Sequence, residues 1–388
     1  MDITIRPTKL SGCVRAIPSK SQAHRLLICA AFSDVETILV CPETNRDIEA
    51  TADCLNALGA SITRTADGYR IDPIQTLPDT AELNCCESGS TLRFMLPIVG
   101  ALGVDAVFHL EGRLPQRPLS PLWEEMERMG CRLSRPSSNT IHCEGKLAEG
   151  AYSIDGGVSS QFITGLLFAL SLINGTCSLE ITGKVESKPY INMTKDALAL
   201  FNAPHYRTPG HIEVEGDWSN GAFFLAAKEL GNDLTVTNLD QKSSQGDRAV
   251  ATILPQMDEH TTIDVSDIPD LVPILAVVAA AKNGATFQNI QRLRLKESDR
   301  VATVAEMICA LGGNAIAAED TLTVFGTGLT GGTIDSHNDH RIAMAAAIAA
   351  TVCTREVTII GADAVNKSYP AFWEEYRKLG GNYEQYLR

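Results

Sequence analysis

CLNALGASITRTADGYRID (54–72) reads as the end of an amphipathic helix, a tight stop at Gly59 and two short extended runs about the turn Asp67-Gly68. The same order returns in MERMGCRLSRPSSNTIHCEG (126–145), ALALFNAPHYRTPGHIEVEG (197–216), EMICALGGNAIAAEDTLTVFG (306–326) and EYRKLGGNYEQYL (375–387). Gly59, Gly130, Gly312 and Gly380 stand where a helix terminator with positive φ belongs, and Ser137-Ser138-Asn139 offers a second hairpin turn. A sixth, degenerate copy lies near ILPQMDEHTTIDV (253–265). The hinge residues Leu58, Met129 and Phe201 are 71 and 72 residues apart, and Leu311 and Leu379 are 68 apart. That period is too long for the common solenoids. Two sets of three units, changing register near residues 213–217, predict an α/β (α+β) chain built of two similar domains.

Composition is consistent with that division. A chain of 388 residues, 44% hydrophobic and 21% charged, can bury two large cores. MDITIRPTKL alternates like a strand, so no secretory signal is expected. The apolar stretches 268–281 and 342–352 are too short or too interrupted to span a bilayer. The 11 cysteines are scattered, and the adjacent Cys85 and Cys86 lack metal-ligand or redox spacing, which fits reduced thiols in a cytosol. A net charge of -14 argues against nucleic acid as a partner.

Against this acidic background, cations recur beside Ser, Gln, Asp, Glu or Gly in PSKSQAHR (18–25), ESGSTLR (87–93), QRP (116–118), SKPY (187–190), LKESDR (295–300) and NDHR (338–341), and VSSQF (158–162) adds hydroxyls and an amide without a cation. Such a pattern suits a small, multiply anionic ligand. Lys20, Ser21 and Arg25 gather near the start of a helix, where free N–H groups and the helix dipole favour anions. Ser88, Gly89 and Ser90 enter a second apolar helix, and Gly89 lets a ligand approach the backbone. Ser159, Ser160 and Gln161 place three neutral hydrogen-bonding groups at a third. The spacing in LKESDR predicts Lys296 and Arg300 on one helical face with Glu297 adjacent. Asp339, His340 and Arg341 precede an Ala-rich helix, and Asp270 heads another apolar one. Asp270 is thus a candidate general base, and Glu297 a candidate general acid if burial raises its pKa. Taken singly, each motif is equally an ordinary capped helix or a solvated charged face.

Taken in order, SKS with Arg25 five residues after Lys20, SGSTLR, QRP, SSQF, SKPY, KESDR, NDHR and NKSYP (366–370) resemble the 5-enolpyruvylshikimate-3-phosphate synthase family from about residue 18 to 373. The resemblance implies transfer of the enolpyruvyl group of phosphoenolpyruvate to the 5-hydroxyl of shikimate 3-phosphate, on the route to chorismate and the aromatic amino acids. It implies the enolpyruvyl transferase fold, an inside-out α/β barrel with three βαββαβ repeats in each of two domains. Residues 13–216 would form one domain and residues 1–12 with 217–388 the other, with the active site in the cleft between them. Shikimate 3-phosphate would be held by Lys20, Ser21, Arg25, Ser159, Ser160, Gln161, Ser187, Tyr190, Asp270, Arg292 and Lys296. Phosphoenolpyruvate would be held by Lys20, Gly89, Arg117, Gln161, Arg300, Arg341 and Lys367, whose guanidinium forks match carboxylate and phosphate. Asp270 would accept the hydroxyl proton and Glu297 would protonate the methylene carbon, with Lys20 and His340 in support. No metal or organic cofactor is expected, nor any membrane partner, and the protein is expected to be a cytoplasmic monomer.

Two positions depart from the family pattern. Glu87 stands where Asn is common and brings negative charge towards the phosphoenolpyruvate site, and Arg292 stands where family members use Asn towards the shikimate phosphate. The 197–216 hairpin also looks short. A UDP-N-acetylglucosamine enolpyruvyl transferase and a non-catalytic anion-binding relative are the alternatives, the first disfavoured by SSQF and SKPY and the second by the complete set of carboxylates and cations.

Overall fold

The computed structural model describes residues 1–386, so that Leu387 of the last repeat lies outside the described residues. Two compact units are present, one of residues 18–214 and one of residues 1–17 with 215 onward. The sequence expectation put these divisions at 12/13 and 216/217. The first falls later because strand Ser11–Arg15 pairs in parallel with Asp233–Thr237 and carries the N-terminal segment, through Ile17, into the second unit.

Four sheets share one plan, a parallel pair followed by two antiparallel neighbours. Within 18–214, His211–Glu213 runs parallel to Thr37–Val40, followed by Gly68–Asp72 and Ser61–Arg64. Thr80–Asn84 and Asp105–His109 are likewise followed by Thr140–Gly145 and Cys131–Ser134. The other unit repeats the order with Thr261–Asp264, Ala285–Gln288, Thr321–Phe325 and Asn314–Ala317, and again with Gly332–Asp335, Val357–Ile360, Asp2–Arg6 and Asn382–Tyr386. The helix stops are as the sequence predicts: Gly59, Gly130, Gly312 and Gly380 have φ of 104°, 114°, 86° and 96°.

The hairpin itself recurs only in 54–72, 126–145 and 306–326. After helix Lys188–Leu200, the 197–216 segment contributes the single strand His211–Glu213, and 253–265 likewise gives one strand, Thr261–Asp264. The two further sheets are parallel pairs, Gly150–Asp155 with Cys177–Thr182 and Ser11–Arg15 with Asp233–Thr237. In the last repeat the partner of Asn382–Tyr386 is the N-terminal strand Asp2–Arg6, so the second strand of that hairpin comes from the far end of the chain.

Each unit has its own hydrophobic core. Helices Lys20–Ala31, Gly89–Leu102 and Ser160–Leu172 in one, and Trp218–Glu229, Val272–Ala281 and His340–Ala349 in the other, are buried along most of their length. Sequences such as VPILAVVAAA are apolar all round and require this placement. The first turn of such a helix retains N–H groups without intrahelical acceptors. Ser19, Ser88, Ser159, Asp217 and Asp339 each accept one of them, and all but Asp217 lie within the motifs singled out in the sequence. Among the described residues no helix is long and apolar enough to cross a membrane.

Candidate active site

In the 18–214 unit the predicted residues form two groups. Arg25, 2% exposed, donates from Nε to Thr194 Oγ1 at 2.9 Å and from Nη2 to the Tyr190 carbonyl at 2.9 Å, and also reaches the Ser21 carbonyl. One guanidinium therefore ties the start of helix Lys20–Ala31 to that of Lys188–Leu200. Burial lowers its pKa to about 10, which leaves it charged at neutral pH. Ser187, just before the second helix, is buried with φ of 55°. Lys20 Nζ pairs with Asp47 Oδ2 at 2.8 Å.

The second group surrounds Gly89. A Cβ there would lie 2.5 Å from Arg117 Nη1 and 2.7 Å from Arg93 Nη1, so no side chain fits without moving both guanidiniums. Arg93 Nη1 donates to Gln161 Oε1 at 2.9 Å, and Gln161 Nε2 donates to Ser90 Oγ at 2.9 Å. The glutamine thereby joins the N-terminal turns of two buried helices. Ser159 caps the helix that begins at the buried Ser160. The Nε of Arg117 is buried and has no hydrogen-bond partner among the described residues. Glu87 lies against Gly112, where a Cβ would meet its Cδ at 2.5 Å.

The other unit concentrates charge about Asp270, in the short turn Pro269–Leu271 ahead of helix Val272–Ala281. Asp270 Oδ1 lies 2.6 Å from Arg300 Nη1 and 3.3 Å from Lys296 Nζ, and its Oδ2 lies 3.3 Å from Arg341 Nη2. Arg300, 1% exposed, also donates to Glu297 Oε2 at 2.8 Å and to Asp339 Oδ2 at 2.8 Å. Three cations thus face three carboxylates. Burial pushes the Asp270 carboxyl up, but Arg341, Lys296 and Arg300 together outweigh it and hold the pKa well below the usual range. Asp339 is lowered too, because Arg300 outweighs its burial. Burial lowers Lys296, although Asp270 opposes this.

Lys296 and Arg300 do not share a helical face. Residues Gln291–Leu295, including Arg292, form a 3-10 turn, Lys296 is extended, and the helix begins at Arg300 with Asp299 as its cap. Asp270 gathers the two cations instead. Arg292 nevertheless lies close enough to Lys296 to contribute to its lowering. His340 is buried with Nδ1 4.0 Å from Asp339 Oδ1, and Lys367 Nζ donates to the Asn338 carbonyl at 2.8 Å.

Sequence reading passed over Asp47, Arg93 and Asp247, and took Asp339 only as a cap. Arg93 was visible inside ESGSTLR, but its partner Gln161 lies 68 residues away. Asp247 belongs to no cationic motif. It is buried, hydrogen-bonded by Ser219 Oγ, and raised to about 7 by burial first and by Asp270 next. A carboxyl raised in the folded state stabilises below its unfolded pKa and loses that contribution as pH climbs to the folded value. Asp247→Asn is therefore expected to gain stability over the unsubstituted protein by about 2–3 kcal/mol more at pH 8.5 than at pH 5, at 1.36 kcal/mol per pH unit between 5 and 7. Urea denaturation at the two pH values checks it, and an equal effect at both would refute it.

The family model EPSP synthase (3-phosphoshikimate 1-carboxyvinyltransferase) matches residues 5–263 and 259–376. The chain is 38% identical to the 3-phosphoshikimate 1-carboxyvinyltransferase of Clostridium kluyveri, covering 99% of this chain and 98% of that protein. The enzyme of the same name from Clostridium perfringens is also 38% identical, covering 98% of each. In fold, the chain matches EPSP synthase from Acinetobacter baumannii with a TM-score of 0.79 at 22% identity, covering 99% of this chain and 100% of that one. It matches the enolpyruvyl transferase NikO from Streptomyces tendae with a TM-score of 0.72 at 18% identity, covering 99% and 98%.

Proposed function

We infer that this chain, which belongs to the EPSP synthase family, transfers the enolpyruvyl group of phosphoenolpyruvate to the 5-hydroxyl of shikimate 3-phosphate and releases phosphate. The observation that carries the reading is 38% identity across 99% of the chain to an enzyme named for this reaction. The product lies on the route to the aromatic amino acids.

The charge cluster supports a mechanism. Asp270, Glu297 and Asp339 neutralise Arg300, Arg341 and Lys296. A carboxylate held by three cations is a weak base. Phosphoenolpyruvate brings its own carboxylate and phosphate to the guanidiniums, and that exchange releases the oxygens of Asp270 to accept the proton of the 5-hydroxyl. The same added negative charge favours the protonated form of Glu297, which then donates to the methylene carbon. The hydroxyl oxygen adds to C2, and the tetrahedral intermediate loses phosphate as the Glu297 carboxylate takes a proton back from the new methyl group. Lys20, Arg117, Arg341 and Lys367 stabilise the departing anion, and His340 supports them. A well-placed donor of this kind is commonly worth about 3 kcal/mol.

Ser21, Arg25, Ser159, Ser160, Gln161, Ser187, Tyr190, Arg292 and Lys296 hold shikimate 3-phosphate in this reading, and Gly89, Arg117, Gln161, Arg300, Arg341 and Lys367 hold phosphoenolpyruvate. The chain works as a monomer in the cytosol, and its 11 free thiols support the second of these.

Phosphate release from the purified protein tests the function. Release is expected only when phosphoenolpyruvate and shikimate 3-phosphate are both present, and none when UDP-N-acetylglucosamine replaces the latter. Silence from folded protein with both substrates would overturn the reading, and turnover with the UDP-sugar would transfer it to the other acceptor.

A further inference from the structure

Helix Arg46–Ala57 contains none of the residues assigned to either substrate, yet one of its faces touches two of the anion-binding helix starts of its unit. Asp47 and Thr51 are four residues apart and so share that face. Asp47 holds Lys20 at 2.8 Å. Thr51 Oγ1 lies 2.7 Å from His24 Nδ1 on one side and 2.7 Å from Thr91 Oγ1 on the other. Thr91 Oγ1 lies 2.8 Å from Ser88 Oγ, the cap of the helix that begins at Gly89. A chain of four side chains, His24, Thr51, Thr91 and Ser88, therefore runs through three helices, and every member is at most 1% exposed.

Each hydroxyl of the chain carries one hydrogen. Thr91 Oγ1 lies within reach of Ser88 Oγ at 2.8 Å and of the Asp47 carbonyl at 3.4 Å, so it ties the helix turn at Gly89 to helix Arg46–Ala57 as well as to its own cap. Thr51 Oγ1 stands between Thr91 Oγ1 and His24 Nδ1 and links the two. The imidazole of His24 is neutral. Its Nε2 is buried with no hydrogen-bond partner among the described residues. Burial, followed by Lys20 and Arg25, holds the His24 pKa well below its usual value, in agreement with the neutral ring. Ser88 ends the chain as a double acceptor, from Thr91 Oγ1 at 2.8 Å and from Thr91 N at 3.2 Å. The next residue is Gly89, packed against Arg117 and Arg93.

We propose that Thr51 is a positioning residue for phosphoenolpyruvate, acting through Thr91 and Ser88 to fix the helix turn at Gly89 relative to the helix that carries Lys20 and Arg25. The inference rests on the reaction proposed above. Thr51 itself touches neither substrate. It sets the angle at which the backbone of Gly89 and the Arg117 guanidinium meet an anion, so loss of the link weakens phosphoenolpyruvate more than shikimate 3-phosphate.

Steady-state phosphate release by Thr51→Val, which keeps the side-chain shape and removes the hydroxyl, is the test. The expected result is a KM for phosphoenolpyruvate raised about fivefold, the effect of one buried hydrogen bond, with kcat and the KM for shikimate 3-phosphate within twofold. Thr51→Ser is expected to restore the KM. In a Ser88→Ala background, Thr51→Val should add nothing, since the relay already lacks its last member. An unchanged phosphoenolpyruvate KM, a parallel rise for both substrates, or full additivity with Ser88→Ala would overturn the proposal. Should Thr51→Val not fold, Ser88→Ala alone must show the same selective rise, and its absence overturns the proposal equally. Failure of the unsubstituted enzyme to release phosphate would instead remove the reaction on which the inference rests.

Discussion

Asp270→Asn is expected to lower kcat for phosphate release about 1,000-fold, in the middle of the 100- to 10,000-fold range for loss of a positioned general base. The substitution keeps the side-chain volume and one carbonyl oxygen, so Arg300 at 2.6 Å retains an acceptor and the local fold survives. Its effect on binding has the opposite sign. The Asp270 carboxylate competes with any anion for Arg300, Lys296 and Arg341, and removing its charge leaves these cations more available. Phosphoenolpyruvate affinity, measured by equilibrium binding, should therefore hold or improve while turnover collapses. If binding weakens and kcat survives, Asp270 serves as a structural counter-ion, and the proton acceptor lies elsewhere.

Features whose cause is local were legible in the sequence. The positive φ at Gly59, Gly130, Gly312 and Gly380 follows from helix termination, and the turns at Asp67-Gly68 and Ser137–Asn139 follow from turn chemistry. Hairpins whose second strand comes from elsewhere were not legible. Nothing in 375–387 says that its strand pairs with Asp2–Arg6, and the boundary near Ile17 depends on a parallel partner more than 200 residues away. The site divides along the same line. The motif residues and their helix starts can be read directly, but Arg25 is fixed by Thr194 and by the carbonyl of Tyr190, which are 169 and 165 residues distant. Lys296 and Arg300 carry the helical spacing without the helix, because the 3-10 turn and the Asp299 cap start that helix only at Arg300. Asp247 had no cationic motif to mark it, and its raised pKa comes from burial beside Asp270.

Arg300→Met is expected to destabilise the protein by about 3–5 kcal/mol at pH 7, the usual consequence of leaving a buried charge without its partner. Asp339 is 0% exposed, and its bonds to Arg300 are the means by which its charge is tolerated. The remaining Ser298 hydroxyl at 2.9 Å and the Arg341 backbone N–H at 3.0 Å are neutral donors. The dependence on pH should change sign. In the unsubstituted protein Asp270 and Asp339 have lowered pKa values, so their contribution is complete above the ordinary carboxylate pKa and is lost only as pH falls through the lowered ones. In the variant, burial acts on Asp339 unopposed by Arg300 and raises it. Its contribution is then present at low pH and is lost as pH rises from the ordinary carboxylate range towards the raised value. Urea denaturation from pH 4.5 to 7.5 should show the stability gap between parent and variant widening as pH rises, over the slope from Asp247 that both share. Adding Asp339→Asn should recover part of the loss at pH 7.5 and little at pH 4.5. Equal destabilisation at both ends, with no recovery in the double variant, would mean that Arg300 stabilises by packing its stem and that the carboxylates around it carry no stored charge to answer for.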